Sequence, residues 1–274
     1  GFITVFDLMN LLSYFGDSDS DLDGIFDTAD ACTDVSACNY SANPTDPCEW
    51  LDAVGVCAGS CESDFEGDGI CDEFFGPCNE GLTINYEGYT YDLVAIGDQC
   101  WFAENLRNMH YANGDIIPEL SSEWSSTTEG AQAVFNNNVE YLNDWGRLYN
   151  WYAVDDVRGL CPSGWHISTD PEFNELTNFL GGSLIAGDAM KSSPGDNPSW
   201  DGSNSSGFSG LGGGTRQYNG WYYVGGSIGY FWSSTPSENQ VDKAWCQTLH
   251  SGSDGLGGYE TNLRNGFSVR CLKD

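Results

Sequence analysis

The charge of this chain is divided along its length, and that division limits what each part can fold into. All nine Lys and Arg among its 274 residues lie beyond residue 80, the first being Arg107, while residues 1–80 carry 18 of the 41 Asp and Glu. A compact segment cannot hold that self-repulsion unneutralised, so residues 1–80 need bound cations. The same segment contains seven of the eleven cysteines, from Cys32 to Cys78. So short a segment has too small a core to hold itself together, and disulfides at that density indicate an oxidising compartment. Zinc fits less well, because Cys57, Cys61 and Cys71 stand among carboxylates and His110, His166 and His250 are scattered. An odd cysteine count leaves at least one thiol free or bonded to another chain. Nucleic acid is a poor partner for a formal charge of −32 without a basic stripe. No apolar run is long enough to span a membrane.

The cation is legible in the spacing. Asp19, Asp21, Asp23, Asp27 and Asp30 fall on positions 1, 3, 5, 9 and 12 of a loop with Gly24 at position 6. Calcium takes about six to eight oxygen ligands, which calls for carboxylates on alternating residues, a sharp turn at position 6 and a backbone carbonyl, here that of Ile25, at position 7. A weaker copy runs through Asp64, Glu66, Asp68 and Asp72 and has Phe75 where the last carboxylate should stand. These loops resemble thrombospondin type 3 repeats. Between them Cys38, Cys48, Cys57 and Cys61 form a Cys-rich unit similar to those arrayed on secreted and surface proteins of bacteria. Residues 17–80 therefore read as a calcium-binding, disulfide-stapled stalk with little secondary structure. Ahead of it, Gly1 to Asp7 fit the last seven positions of another calcium loop, and Leu8, Leu11, Leu12 and Phe15 follow at helical spacing before Gly16. Residues 1–16 resemble half of a dockerin or EF-hand module, and the chain is expected to be the C-terminal part of a longer protein.

From Leu82 the composition turns to Trp, Tyr, Phe and Gly, enough aromatic mass for a core. Residues 83–86 and 89–91 around the Glu87-Gly88 turn predict a hairpin whose second strand continues through residues 93–96. Asp170 as cap and Pro171 as first residue predict a helix through Phe173, Leu176 and Leu180, stopped by Gly181-Gly182. Short strands and Gly-rich loops, residues 210–214 and 225–229 among them, make up the rest. The pattern is α+β.

Five blocks then occur in order: Ile96-Gly97, Gln99, Trp101 and Ala103-Glu104-Asn105-Leu106; Gly146-Arg147-Leu148-Tyr149 and Trp151; Cys161-Pro162-Ser163-Gly164-Trp165-His166; Phe231-Trp232-Ser233-Ser234-Thr235; and Gly266-Phe267-Ser268-Val269-Arg270-Cys271. Across residues 81–274 the chain resembles the Fibrobacter succinogenes major paralogous domain. The resemblance implies a C-type lectin-like fold with two helices around a small twisted sheet, close termini and a long irregular loop region. It also implies a closing disulfide, Cys161 to Cys271, and a variable ligand loop at residues 236–265. Glu238, Asn239, Lys243, His250, Tyr259 and Asn262 are the candidate ligand contacts there, whereas Trp232 and Trp245 read as core. Trp101, Arg147, Trp151, Trp165 and His166, as motif residues, read as packing and buried hydrogen bonding. Cys38 with Cys48 and Cys100 with Cys246 are further expected pairs.

The calcium-dependent sugar motif of true C-type lectins, Glu-Pro-Asn with a later Trp-Asn-Asp, does not occur, and no nucleophile, base and orienting group assemble by motif. The expected function is non-enzymatic: an extracellular or cell-surface bacterial adhesion or recognition protein, its lectin-like head on a calcium-stiffened stalk, binding a glycan or protein on another surface. The alternative is a structural subunit packing against neighbouring copies in a filament or sheath.

Overall fold

A computed structural model describes residues 76–78 and 83–274. The calcium ligands expected between Asp19 and Asp72, the Cys38–Cys48 pair and the leading helix lie outside the described residues. The chain divides between Phe74 and Phe75, and the second unit is mixed helix and sheet, mostly sheet with few helices.

The predicted hairpin is present as β1 (Thr83–Tyr86) and β2 (Tyr89–Ile96), with Tyr86 facing Tyr89 across the turn. Glu87 and Gly88 both take positive φ, 54° and 76°, as a two-residue turn matched to strand twist requires. β2 pairs with β3 (Gln99–Phe102), and the chain's last strand, β12 (Cys271–Lys273), lies between β3 and β6 (Trp165–Ile167). The first and last strands of the described residues thus share one five-stranded antiparallel sheet, ordered β1-β2-β3-β12-β6. A second sheet joins β9 (Ile228–Pro236), β10 (Lys243–His250) and β11 (Leu256–Asn262). Two short pairs complete the strands: β4 (Gln132–Ala133) with β5 (Leu148–Tyr149), and β7 (Thr215–Arg216) with β8 (Tyr222–Tyr223).

Successive strand residues point to opposite faces, and the motif aromatics use this to fill two cores. On β3, Phe102 packs with Tyr91 and Trp165 in one core while its neighbour Trp101 packs with Phe173 and Phe208 in the other. Trp232 and Phe231 divide in the same way on β9. Losing a fully buried ring of this size costs about 3–5 kcal/mol.

Among the described residues the α-helices are α1 (Glu140–Trp145), α2 (Trp151–Val154), α3 (Asp170–Phe179) and α4 (Ala186–Met190). Asp170 is not the cap of α3. Thr169 is: its hydroxyl accepts from the Glu172 amide while the Glu172 carboxylate accepts from the Thr169 amide at 2.7 Å, a reciprocal capping box. Asp170 instead accepts from Gln247 at 2.8 Å and ties the helix to β10. The helix stops at Gly181 and Gly182, both at positive φ, as expected.

Two disulfides lie among the described residues. Cys161–Cys271 closes 110 residues, as the resemblance implied. The expected Cys100–Cys246 pair is absent: Cys100 bonds Cys78, because β3 runs past the helical turn Gly76–Cys78, and Cys246 is a buried free thiol. The covalent framework of this unit therefore reaches back to Cys78, ahead of the expected start at residue 81.

Arginines hold the irregular segments by their backbones. Arg270, fully buried, donates to Asn105 Oδ1 at 2.8 Å and to the carbonyls of Phe102, Phe208 and Ser209. Burial pulls its guanidinium down to about 9, which leaves it charged at neutral pH. The Gly146-Arg147 block has a steric reason: at Gly146 (φ 70°) a Cβ would lie 2.8 Å from the Leu106 carbonyl. Arg147 then reaches the Arg107 carbonyl at 3.0 Å and Gln132 at 2.6 Å.

Candidate functional site

Residues 236–265, expected as a ligand loop, are mostly sheet. Pro236 ends β9, and β10 and β11 pair from Lys243↔Asn262 to Leu249↔Leu256. The physical reason is visible in β10, where Ala244, Cys246, Thr248 and Leu249 are buried. Of the six candidate contacts, Lys243 and Asn262 face each other across strands, Tyr259 lies further along β11 opposite Cys246, and exposed Glu238 and Asn239 sit in the β9–β10 turn. His250 ends β10 at the far end, about 24 Å away at a rise of about 3.4 Å per residue. The structure does not bring the six into one surface. Trp232 is core, as expected, and Trp245 is half-buried.

Trp101, Arg147, Trp151 and Trp165 are buried, and His166 is partly exposed. His166 sits between two carboxylates, Nδ1 2.7 Å from Asp274 and Nε2 3.0 Å from Glu172. With both ring nitrogens engaged, it clasps α3 to the chain's last residue. Although burial alone would raise it, Glu172 is held below its ordinary pKa by hydrogen bonds from Thr169 and by His166.

A different surface gathers recognition chemistry. The β7–β8 hairpin projects Tyr218, Trp221 and Tyr223, of which Trp221 is 69% exposed. Beside it runs an open groove of about 520 Å3 between Ser121-Ser122 and Asn136-Asn137, with Arg216 and Tyr222 from the hairpin itself and Asn219-Gly220-Trp221 from its turn. Each part is fixed. Arg216 is buried, lies over the Trp124 ring at 4.4 Å, and donates to the carbonyls of Leu120 (2.5 Å), Ser121 (2.6 Å) and Gly220 (3.3 Å). Tyr222 donates its hydroxyl to Asn137 Oδ1 at 2.8 Å and packs its ring on Phe135. Asn136 and Asn137 both have φ of 54°, a left-handed conformation that asparagine tolerates better than most residues.

A smaller cleft of about 280 Å3 is lined by Asp92, Glu104, Asp144 and Asp196 together with Asn105, Asn204 and Ser209. Its acids are partly consumed internally: Glu104 accepts from Tyr89 at 2.6 Å, and Asp196, held below its ordinary pKa by the Ser193 amide, also accepts from Asn204. Among the described residues no three His, Cys, Asp or Glu side chains group as a metal site.

Residues 94–273 match the family described as the Fibrobacter succinogenes major domain. The chain belongs to that family. No curated protein matches it, and no solved structure does. Within this Fibrobacter major domain the five sequence blocks are largely the buried frame, while the groove comes from stretches between them. Sequence reasoning missed the groove. The signal was Tyr218-Asn219-Gly220-Trp221-Tyr222-Tyr223, an Asn-Gly hairpin turn set in aromatics.

Proposed function

We propose that this protein is a non-enzymatic recognition or adhesion protein working outside a bacterial cell, its C-type lectin-like head carried on a calcium-stiffened stalk. The observation that carries the reading is the groove at the β7–β8 hairpin, where exposed aromatic rings and amides stand on a rigid, buried frame. The meeting of β1 and β12 in one sheet supports a lectin-like closure of the ends of this domain. Two disulfides are consistent with an oxidising, extracellular setting. No helix among the described residues is long and apolar enough to cross a membrane. Burial pushes the Cys246 thiol up to about 12, which makes it a poor nucleophile and a poor bridge to a neighbouring copy. That disfavours a filament linked through Cys246.

The full chain should bind cells or extracellular matrix, and Trp221→Ala should abolish that binding without unfolding the protein. Equal binding by the variant refutes the site. Calcium is tested separately: chelation should raise hydrogen exchange in residues 17–78 and leave residues 83–274 protected, and unchanged exchange in the acidic segment refutes the calcium reading.

A further inference from the structure

We infer that the groove beside the β7–β8 hairpin holds a neutral, polyhydroxylated ligand, an oligosaccharide without carboxylate or sulfate groups, with one sugar face stacked on Trp221. This rests on the recognition reading above and gives its site an occupant. The first argument is charge. The chain carries 41 acidic residues, yet none lines this groove. Its one cation, Arg216, is buried and spends three of its five N–H groups on backbone carbonyls. An anionic ligand meets a formal charge of −32, against which the groove sets only this single buried cation.

The second argument is hydrogen bonding. Sugar hydroxyls both donate and accept, and amide side chains answer both. The oxygen of Asn137 is held by Tyr222, and that of Asn219 by the Trp221 amide at 3.0 Å. Each amide is thereby oriented with its NH2 unspent, and the Asn136 amide has no partner among the described residues. The third is shape. A pyranose has an apolar C–H face and a polar rim, which matches an exposed indole beside a row of amides. A volume of about 520 Å3 lies in the range of small-ligand sites, roughly 300–1,000 Å3.

Saturation-transfer NMR on the full chain, with short neutral oligosaccharides of glucose, xylose, mannose and N-acetylglucosamine beside uronate oligomers, tests this. Neutral sugars should receive saturation through their ring C–H protons, uronates should not, and a calcium chelator should change nothing. Trp221→Ala should weaken binding about tenfold or more, the loss of one ring stack, while Tyr259→Ala, on β11, should not. Absence of transfer to every neutral sugar, or equal binding by Trp221→Ala, overturns the inference. If Trp221 is needed for binding to cells or matrix but no neutral sugar binds, the ligand class falls and the recognition reading stands. If neither binds, both fall.

Discussion

Replacing Cys161 and Cys271 by alanine should destabilise the protein more than the same change at Cys78 and Cys100, and the difference is calculable. The bridges close 110 and 22 residues. Loop closure removes entropy from the unfolded chain in proportion to the logarithm of loop length, which gives about 4.8 kcal/mol for the longer bridge and about 3.4 kcal/mol for the shorter. All four half-cystines are buried, the most exposed at 6%. The packing lost on truncation is therefore similar in the two variants, and the expected difference of about 1.4 kcal/mol belongs to the loops. Urea unfolding of the full chain without reductant, followed by tryptophan fluorescence, reads both variants against wild type. An equal or larger loss from the Cys78/Cys100 variant would refute the reasoning.

Thr169→Ala removes the hydroxyl half of the α3 capping box, leaves the backbone amide's bond to Glu172, and should cost about 1 kcal/mol in the same urea assay; no loss would show that the hydroxyl is dispensable. Arg216→Lys keeps the charge but not the fork that reaches three carbonyls, and should cost roughly 2–4 kcal/mol and weaken ligand binding in the groove. Wild-type stability would refute that role. Alkaline pH should destabilise the protein, because burial raises Tyr86 and Tyr111, and burial with the Glu104 hydrogen bond raises Tyr89, each to about 12. The unfolded chain releases these protons from about pH 10 while the folded one retains them, so stability is whole below about pH 10 and falls as pH rises toward 12. Melting temperatures that stay flat over that window contradict this.

The local elements were readable because their signals are local. The first hairpin is announced by alternation around Glu87-Gly88, and α3 by Pro171 and the double glycine. Its cap was misplaced by one residue because Thr169 and Asp170 both suit an N-cap, and only the Glu172 carboxylate decides between them. The β10 strand was hidden behind the loop that the family resemblance implied, although buried Ala244, Cys246 and Thr248 alternate along it. The partner of Cys100 could not be read, since Cys78 follows the run of cysteines from Cys32 to Cys71 in sequence and only the course of β3 brings it near. The groove is non-local in the same sense: Ser121, Asn136 and Arg216 meet because the frame folds.

Arg216, and Arg270 in three of its four bonds, recognise the path of the main chain, not the residues that travel it. Substitution at Leu120 or Ser121 leaves the carbonyl that Arg216 grips in place so long as the backbone keeps its course. A domain anchored in this way separates inheritance of shape from inheritance of surface. Its outer side chains are free to change while the course of the backbone, and with it the fold, is kept.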